Sequence, residues 1–242
     1  VDALYLKIRE DGRVRNRGVM LGIGVNTDGH REVLGMMLGD TESEESWIAF
    51  FSWLKQRGLH GVDLVVSDDH GGLVRSIRQQ LQGVTWQRCQ THFMRNIMNA
   101  APKELKNEIY THVRAILEAP DPETARMLLQ QTIATFGEKA ARAIRTLETG
   151  FDDATAVLSL PEKYRKRLRT TNSVERLNEE VRRRERVIRI FPNRESVVRL
   201  IGALLMEQDE KWAAGRKYFD MAEYLEWRKD RPRSSAKVTR IM

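Results

Sequence analysis

Cysteine is nearly absent. Cys89 is the only one in 242 residues, which excludes an internal disulfide framework and fits a reducing cytoplasm. Long apolar runs are missing too. The stretch LIGALLM (Leu200–Met206) is far too short to span a bilayer, and no signal-peptide pattern opens the chain, so neither membrane insertion nor secretion is expected. No internal repeat is found. With 41% hydrophobic and 31% charged residues the chain is globular rather than disordered, and long enough for one large domain or two modest ones.

Charge is present but localised. Residues Pro161–Leu200 hold 13 Lys and Arg against 6 Asp and Glu, which is the whole net charge of +7, while the rest of the chain sums to zero. One basic segment in a neutral body is a local electrostatic footprint. A solvated helical face is the bland alternative. Arginines outnumber lysines here and lie beside Glu175, which favours a polyanion partner.

Along the chain, period-two alternation in VDALYLKIR puts Leu4, Leu6 and Ile8 on one strand face, with Asp2 at the same parity. Asp11-Gly12-Arg13 turns the chain into VMLGIGV, and NTDGH turns it into EVLGMML, giving an antiparallel meander. TESEESWIAFFSWLKQRG predicts a helix capped by Thr41 or Ser43, with Trp47, Phe50, Phe51 and Leu54 buried and Gly58 as its stop. VDLVV is a near-continuous apolar run that suits a strand buried on both faces. GGLVRSIRQQL predicts a helix and VTW a short strand. From about Cys89 the pattern is helical, punctuated by Pro102, Pro120 and Pro161.

This order predicts an α/β fold, an RNase H-like mixed five-stranded sheet flanked by helices, with an all-helical insertion before the last catalytic helix. The expected parts are residues 1–92 (first part of the core), 93–169 (insertion), 170–219 (closing helices) and 220–242 (a basic tail), of which RKDRPRSSAKVTRIM (228–242) is expected to be loosely ordered.

Three carboxylates stand out: Asp2, Asp68 and Glu175. Separated carboxylates beside arginines suit divalent cations acting on a polyanion, since hard oxygens hold Mg²⁺ and arginine holds phosphate. Each has a plainer alternative. Asp2, at core parity, must be paired or bind metal unless it is frayed and solvated. Asp68 closes a predicted strand, where α/β sheets bind ligands, but it or Asp69 could cap the next helix. Asn172 and Glu175 match a capping box, and Val174, Leu177 and Val181 leave Glu175, Glu179 and Arg182 on another face of that helix.

These segments carry a resemblance. VDALYLKIRE, SDDHGGL with WQRCQTHFMRN, and RTTNSVERLN with RRRERVIRIFPN resemble the catalytic domain of bacterial insertion-sequence transposases of the Mutator type, from Val1 to about Phe219. The resemblance implies that Asp2, Asp68 and Glu175 form a DDE triad holding two Mg²⁺ or Mn²⁺ ions roughly 4 Å apart. It implies cleavage at transposon ends, strand transfer by the freed 3′-OH, a homo-oligomer in the active complex, and a cytoplasmic, nucleoid-associated protein. Arg176, Arg182, Arg183, Arg184, Arg186 and Arg189 are then expected on DNA phosphates. A structure-specific nuclease and a catalytically inactive, DNA-binding remnant are the rivals.

Accessory candidates are weaker. Cys89-x-x-His92 has zinc-like spacing, but no second cysteine exists, so both are expected to pack or hydrogen-bond. His70 could touch a phosphate or start a helix, and Thr170, Thr171 and Asn172 could cap a helix or donate to DNA. Trp47, Trp53 and Trp86 read as core. The chain opens without methionine and without the family's end-binding region, which reads as a fragment expected to bind DNA non-specifically. The segment after Phe219 carries no family motif.

Overall fold

The computed structural model describes residues 1–230. Strands β1 (Asp2–Glu10), β2 (Arg13–Val25) and β3 (Arg31–Gly39) lead into helix α1 (Glu44–Gln56), strand β4 (Leu64–Ser67), helix α2 (Gly71–Gln80) and strand β5 (Thr85–Arg88). Helices α3 (Gln90–Ala100), α4 (Lys106–Leu117), α5 (Pro122–Phe136), α6 (Ala141–Thr155) and α7 (Glu162–Leu168) follow. The described chain closes with α8 (Asn172–Ile188), α9 (Arg194–Ala213) and α10 (Ala222–Lys229). The α/β class and the order of the first seven elements agree with the sequence pattern.

Two units divide these elements: residues 1–63, 70–84 and 172 onward form one, and residues 64–69 with 85–171 the other. In the first, β1, β2 and β3 pair antiparallel in that order. Asp11 (φ 49°) and Gly12 (φ 74°) both take left-handed backbone, which a two-residue hairpin needs to match the strand twist. The alternation of β1 buries Leu4, Leu6 and Ile8 and leaves Tyr5, Lys7 and Arg9 exposed. The buried face packs against Leu177 and Val181 of α8 and Val197, Ile201 and Leu205 of α9.

Helix α1 starts as its sequence dictates. Ser43 caps it, accepting from the Ser46 N–H at 3.2 Å, and the predicted stripe Trp47, Phe50, Phe51 and Leu54 is buried. Gly72 lets α2 approach α1 closely, for a Cβ there would lie 2.8 Å from the Glu44 nitrogen. An ion-pair network holds α9 to the hairpin: Arg17 and Arg194 both bind Glu10 and Asp40. The hydrogen bond from Arg17 is the main reason the Glu10 carboxyl sits below the usual glutamate range; burial opposes it and Arg194 adds to it.

In the second unit β4 and β5 pair in parallel, Leu64 to Thr85 through Ser67 to Arg88. Their helices share one core that includes Phe93, Ile97, Ile109, Val113, Ala143 and Phe151. Asp121 caps α5 through the Thr124 N–H, with Pro122 at the first helical position. Buried Gln87 ties β5 to the end of α6, donating to the Ala154 carbonyl at 2.8 Å and accepting from the Val157 N–H at 2.6 Å.

One expectation is corrected. The strands form a three-stranded antiparallel sheet and a two-stranded parallel sheet, not one five-stranded RNase H-like sheet. Physically, β4 is four residues long and alternates, with Val65 and Ser67 buried and Leu64 and Val66 only half-buried, so it is not covered on both faces. Strand β1 alternates likewise. The segment from 220 is described up to Asp230. It contains α10, whose Tyr224 donates to Asp63 at 2.9 Å while Arg228 pairs with the same carboxylate at 3.1 Å. The tail expected beyond it lies outside the described residues. Among the described residues no helix is long and apolar enough to cross a membrane.

Replacing Gln87 by leucine should lower the unfolding free energy by about 2–4 kcal/mol, because the Val157 N–H is left buried without its acceptor. Urea denaturation measures this, and a loss under about 0.5 kcal/mol would show that the buried amide is not needed.

Candidate active site

Asp2 opens β1 opposite Leu21 and is half-buried. Its Oδ1 accepts from the Ala3 N–H at 2.9 Å and its Oδ2 from the Asn178 side-chain amide at 2.7 Å. The frayed alternative is therefore overturned: Asp2 is strand and paired. Asn178 lies on α8, only 6% exposed, within the apolar stripe of Val174, Leu177 and Val181. Glu175 sits three residues earlier, one turn away on the same side of the helix, and is half-buried. One helix thus docks on β1 by apolar contacts and delivers both an amide to Asp2 and the turn carrying Glu175.

Asn178 also keeps a buried Oδ1 with no hydrogen-bond partner among the described residues. Sequence reading missed this residue, although it left a signal. Asn178 occupies the fourth corner of a 174–177–178–181 stripe that is otherwise apolar, and a polar residue there needs a partner.

In the other unit, Asp68 follows directly on β4 and is half-buried. The Ser67 hydroxyl beside it donates to the Asp68 carbonyl at 2.8 Å and accepts from the Trp86 indole N–H at 2.9 Å. The Asp68 carboxylate has no ion pair among the described residues. Asp69 is exposed and pairs with Arg88 at 2.8 Å, and Arg88 in turn lies over the Phe93 ring at 4.7 Å. The neighbouring aspartates are thus distinct: Asp69 is held by an arginine and Asp68 is not. Neither caps α2, whose N-cap position is His70, so that alternative is corrected. The His70 side chain makes no cap bond and its Nδ1 lies 3.7 Å from a Glu42 oxygen.

Cys89 is fully buried, and its sulfur accepts from the Thr171 N–H at 3.4 Å and from the Thr171 hydroxyl at 3.2 Å. Thr171 is therefore buried against the thiol instead of turning its hydroxyl to solvent. His92 is half-buried on the first turn of α3, and Asn172 is exposed at the start of α8. Arg176, Arg182, Arg183, Arg184, Arg186 and Arg189 are all exposed. They are not equivalent. Arg183 is tied to Glu180 at 2.5 Å, which raises its pKa, and Arg184 reaches the same carboxylate at 4.0 Å. Arg176, Arg182, Arg186 and Arg189 have no ion pair among the described residues.

The family described as "Transposase, Mutator family" matches residues 1–215. The chain belongs to that family. It is 44% identical over 222 residues to the transposase for insertion sequence element IS256 in transposon Tn4001 of Staphylococcus aureus, covering 90% of this chain and 57% of that protein. It is 40% identical over 220 residues to the transposase for insertion sequence element IS1081 of Mycobacterium tuberculosis, covering 91% and 53%. With the transposase for insertion sequence element ISRM5 of Rhizobium meliloti it shares 37% over 229 residues, covering 95% and 58%. The chain therefore spans a little over half the length of these relatives. Asp2, Asp68, Glu175 and Asn178 all fall inside the span that matches the Mutator family.

The Asn178 amide can be tested apart from any reaction. Asn178→Asp places a second carboxylate against Asp2 in a buried site and should cost about 3 kcal/mol or more at neutral pH. Asn178→Leu removes the orphaned oxygen but also the donor to the half-buried Asp2 Oδ2, and should cost less, about 1–2 kcal/mol. Thermal and urea melts of both variants check this, and equal melts would mean that the two side chains do not meet in solution.

Proposed function

We propose that this chain is the catalytic part of a DNA transposase, cleaving phosphodiesters at transposon ends and joining the freed 3′-OH to target DNA. One observation within the family match carries the reading: the Asn178–Asp2 hydrogen bond couples the strand that begins with one carboxylate to the helical turn that bears another. Asp68, the third, ends a parallel-paired strand, the position at which α/β sheets present ligands.

The donor chemistry fits hard divalent cations. Asp2, Asp68 and Glu175 offer carboxylate oxygens, all half-buried, and Asp68 has no arginine or lysine paired to it among the described residues. Mg²⁺ or Mn²⁺ held there in a pair would supply Lewis-acid activation of water or a 3′-OH and offset charge on the leaving oxygen. The chain's own groups do the rest. Asn178 holds the Asp2 carboxylate in one orientation, so its second oxygen need not search for a partner. Arg176, Arg182, Arg186 and Arg189 neutralise backbone phosphates and set the register of DNA without reading its sequence. Arg183 and Arg184 contribute less, because Glu180 shares their charge. The helices between residues 93 and 169 are read as an insertion separating the strands from the closing catalytic helix. DNA-bound copies acting as a homo-oligomer in the bacterial cytoplasm complete the proposal.

Asp2→Asn, Asp68→Asn and Glu175→Gln should each abolish Mg²⁺-dependent cleavage of end-bearing DNA while leaving DNA affinity within a few-fold. Asp69→Asn should keep most cleavage and melt earlier, since Arg88 loses its carboxylate. Gel assays of nicked and joined products decide among the readings. Nicking without joining would favour a nuclease, binding without either a non-catalytic remnant, and an inactive Asp69→Asn beside an active Asp68→Asn would reverse the choice between neighbours.

Replacing Arg182, Arg183 and Arg186 by alanine should weaken binding to unrelated duplexes about equally. The plot of log affinity against log salt should flatten by about one unit for each lost phosphate contact. An unchanged slope would return the basic window to a solvated helix face.

A further inference from the structure

The β1–β2 hairpin carries a second basic surface that summing charge along the sequence conceals. Lys7 and Arg9 project from the open face of β1, while Arg13 and Arg15, paired with Glu10 and Ile8, lie around the turn on the other face of the ribbon; all four are exposed. Nearby acids do not cancel them. Glu10 is bound by Arg17 and Arg194, and Asp40 by the same two arginines, so these four groups neutralise one another. That leaves four cations facing one acid, the exposed Asp11, which only Arg15 approaches, at 4.0 Å. Lys7, Arg9 and Arg13 have no ion pair among the described residues.

The backbone of the hairpin is also joined to the chain leaving α8, although α8 itself packs on the other, apolar face of β1. The helix ends at Ile188, and Arg189 reverses the backbone with φ 61°. Two residues on, the Phe191 N–H donates to the Lys7 carbonyl at 2.8 Å, and the Phe191 carbonyl accepts from the Arg9 N–H at 2.8 Å. This segment runs parallel beside β1, with Phe191 paired to Ile8 and buried. The chain leaving α8 is therefore stitched between the two cations of the open face. Lys7 and Arg9 are about 7 Å apart along the strand, and Tyr5, Asn16 and Val14 share their side of the sheet. Cations with polar and modestly apolar neighbours on an extended ribbon suit a sugar–phosphate backbone better than an acidic globular patch.

We propose that this hairpin is a second DNA-binding element, a ribbon that presents Lys7 and Arg9 from one face and Arg13 and Arg15 from the other to duplex phosphates, distinct from those held by α8. The proposal deepens the transposase reading and rests on it for the choice of DNA as the polyanion. A protein that processes DNA must hold the duplex on both sides of the scissile bond, and the two basic elements supply two footholds on one unit. The contacts are to backbone, so they add affinity and salt dependence without sequence preference.

The test is fluorescence anisotropy of a labelled random-sequence duplex with the whole chain over a potassium chloride series. Three variants are compared with the parent: Lys7→Gln with Arg9→Gln, the same pair with Arg13→Gln and Arg15→Gln added, and Arg182→Ala with Arg186→Ala. The fourfold hairpin variant should bind at least tenfold more weakly near 0.1 M salt and flatten the salt slope by about two to four units. The double variant should fall between it and the parent, and melting temperatures should be unchanged because the side chains are exposed. If the hairpin variants bind as the parent does while the α8 variant weakens, the hairpin inference is overturned and the α8 assignment stands. If neither set moves affinity or slope, or the parent itself does not bind duplex at low salt, both fail.

Discussion

The docking of α8 on β1 is the contact on which the candidate site depends. Leu4, Leu6 and Ile8 meet Leu177 and Val181 across a buried face, and removing such side chains from water is the main stabilising force available to a sheet of three strands. Within that apolar seam a single amide, from Asn178, reaches Asp2, at the start of the buried side of β1. A buried polar pair costs stability if either member is lost and specifies a register while both remain. Apolar packing alone would tolerate a helix rotated or slid by part of a turn; the amide does not.

Other features fall into place around that seam. The chain leaves α8 through Arg189 and immediately pairs Phe191 with β1, so the end of the helix is held as firmly as its middle. Helix α9 then packs on the same sheet and is tied to the hairpin through Arg194, Glu10, Arg17 and Asp40. Surface ion pairs contribute little singly, but this group shares four charges and is partly shielded. Its consequence is electrostatic as well as structural. By occupying Glu10 and Asp40, it leaves Lys7, Arg9 and Arg13 without an ion pair among the described residues.

The second unit solves a different problem. Its short parallel strands cannot stand alone, and buried Gln87 and Gln90 converge on the Ala154 carbonyl to fasten β5 and α3 to the end of α6. Asp68 and Asp69, adjacent in sequence, differ in pairing: Arg88, lying over Phe93, binds Asp69. A carboxylate already neutralised by arginine is a poor cation ligand, which is why the proposed function takes Asp68 and not Asp69.

Much of this was legible in the sequence. Alternation in VDALYLKIR, the Asp-Gly turn, the capped stripe of α1, and Val174, Leu177 and Val181 of α8 are local patterns, and local sterics and burial are what such patterns encode. The three carboxylates and the basic window were visible for the same reason, as was the likeness to Mutator transposases in the segments around them. What sequence could not decide was pairing at a distance. Whether five strands join into one sheet depends on ladders between residues far apart, and alternation in β1 and β4 permits either outcome. The partners of Asp2, of Asp69 and of Glu10 lie 176, 19 and 184 residues away. No window of neighbouring residues reveals which charges cancel, because cancellation is set by distance in space. Only the tertiary structure could make Asn178 part of the site and leave the β1–β2 hairpin basic.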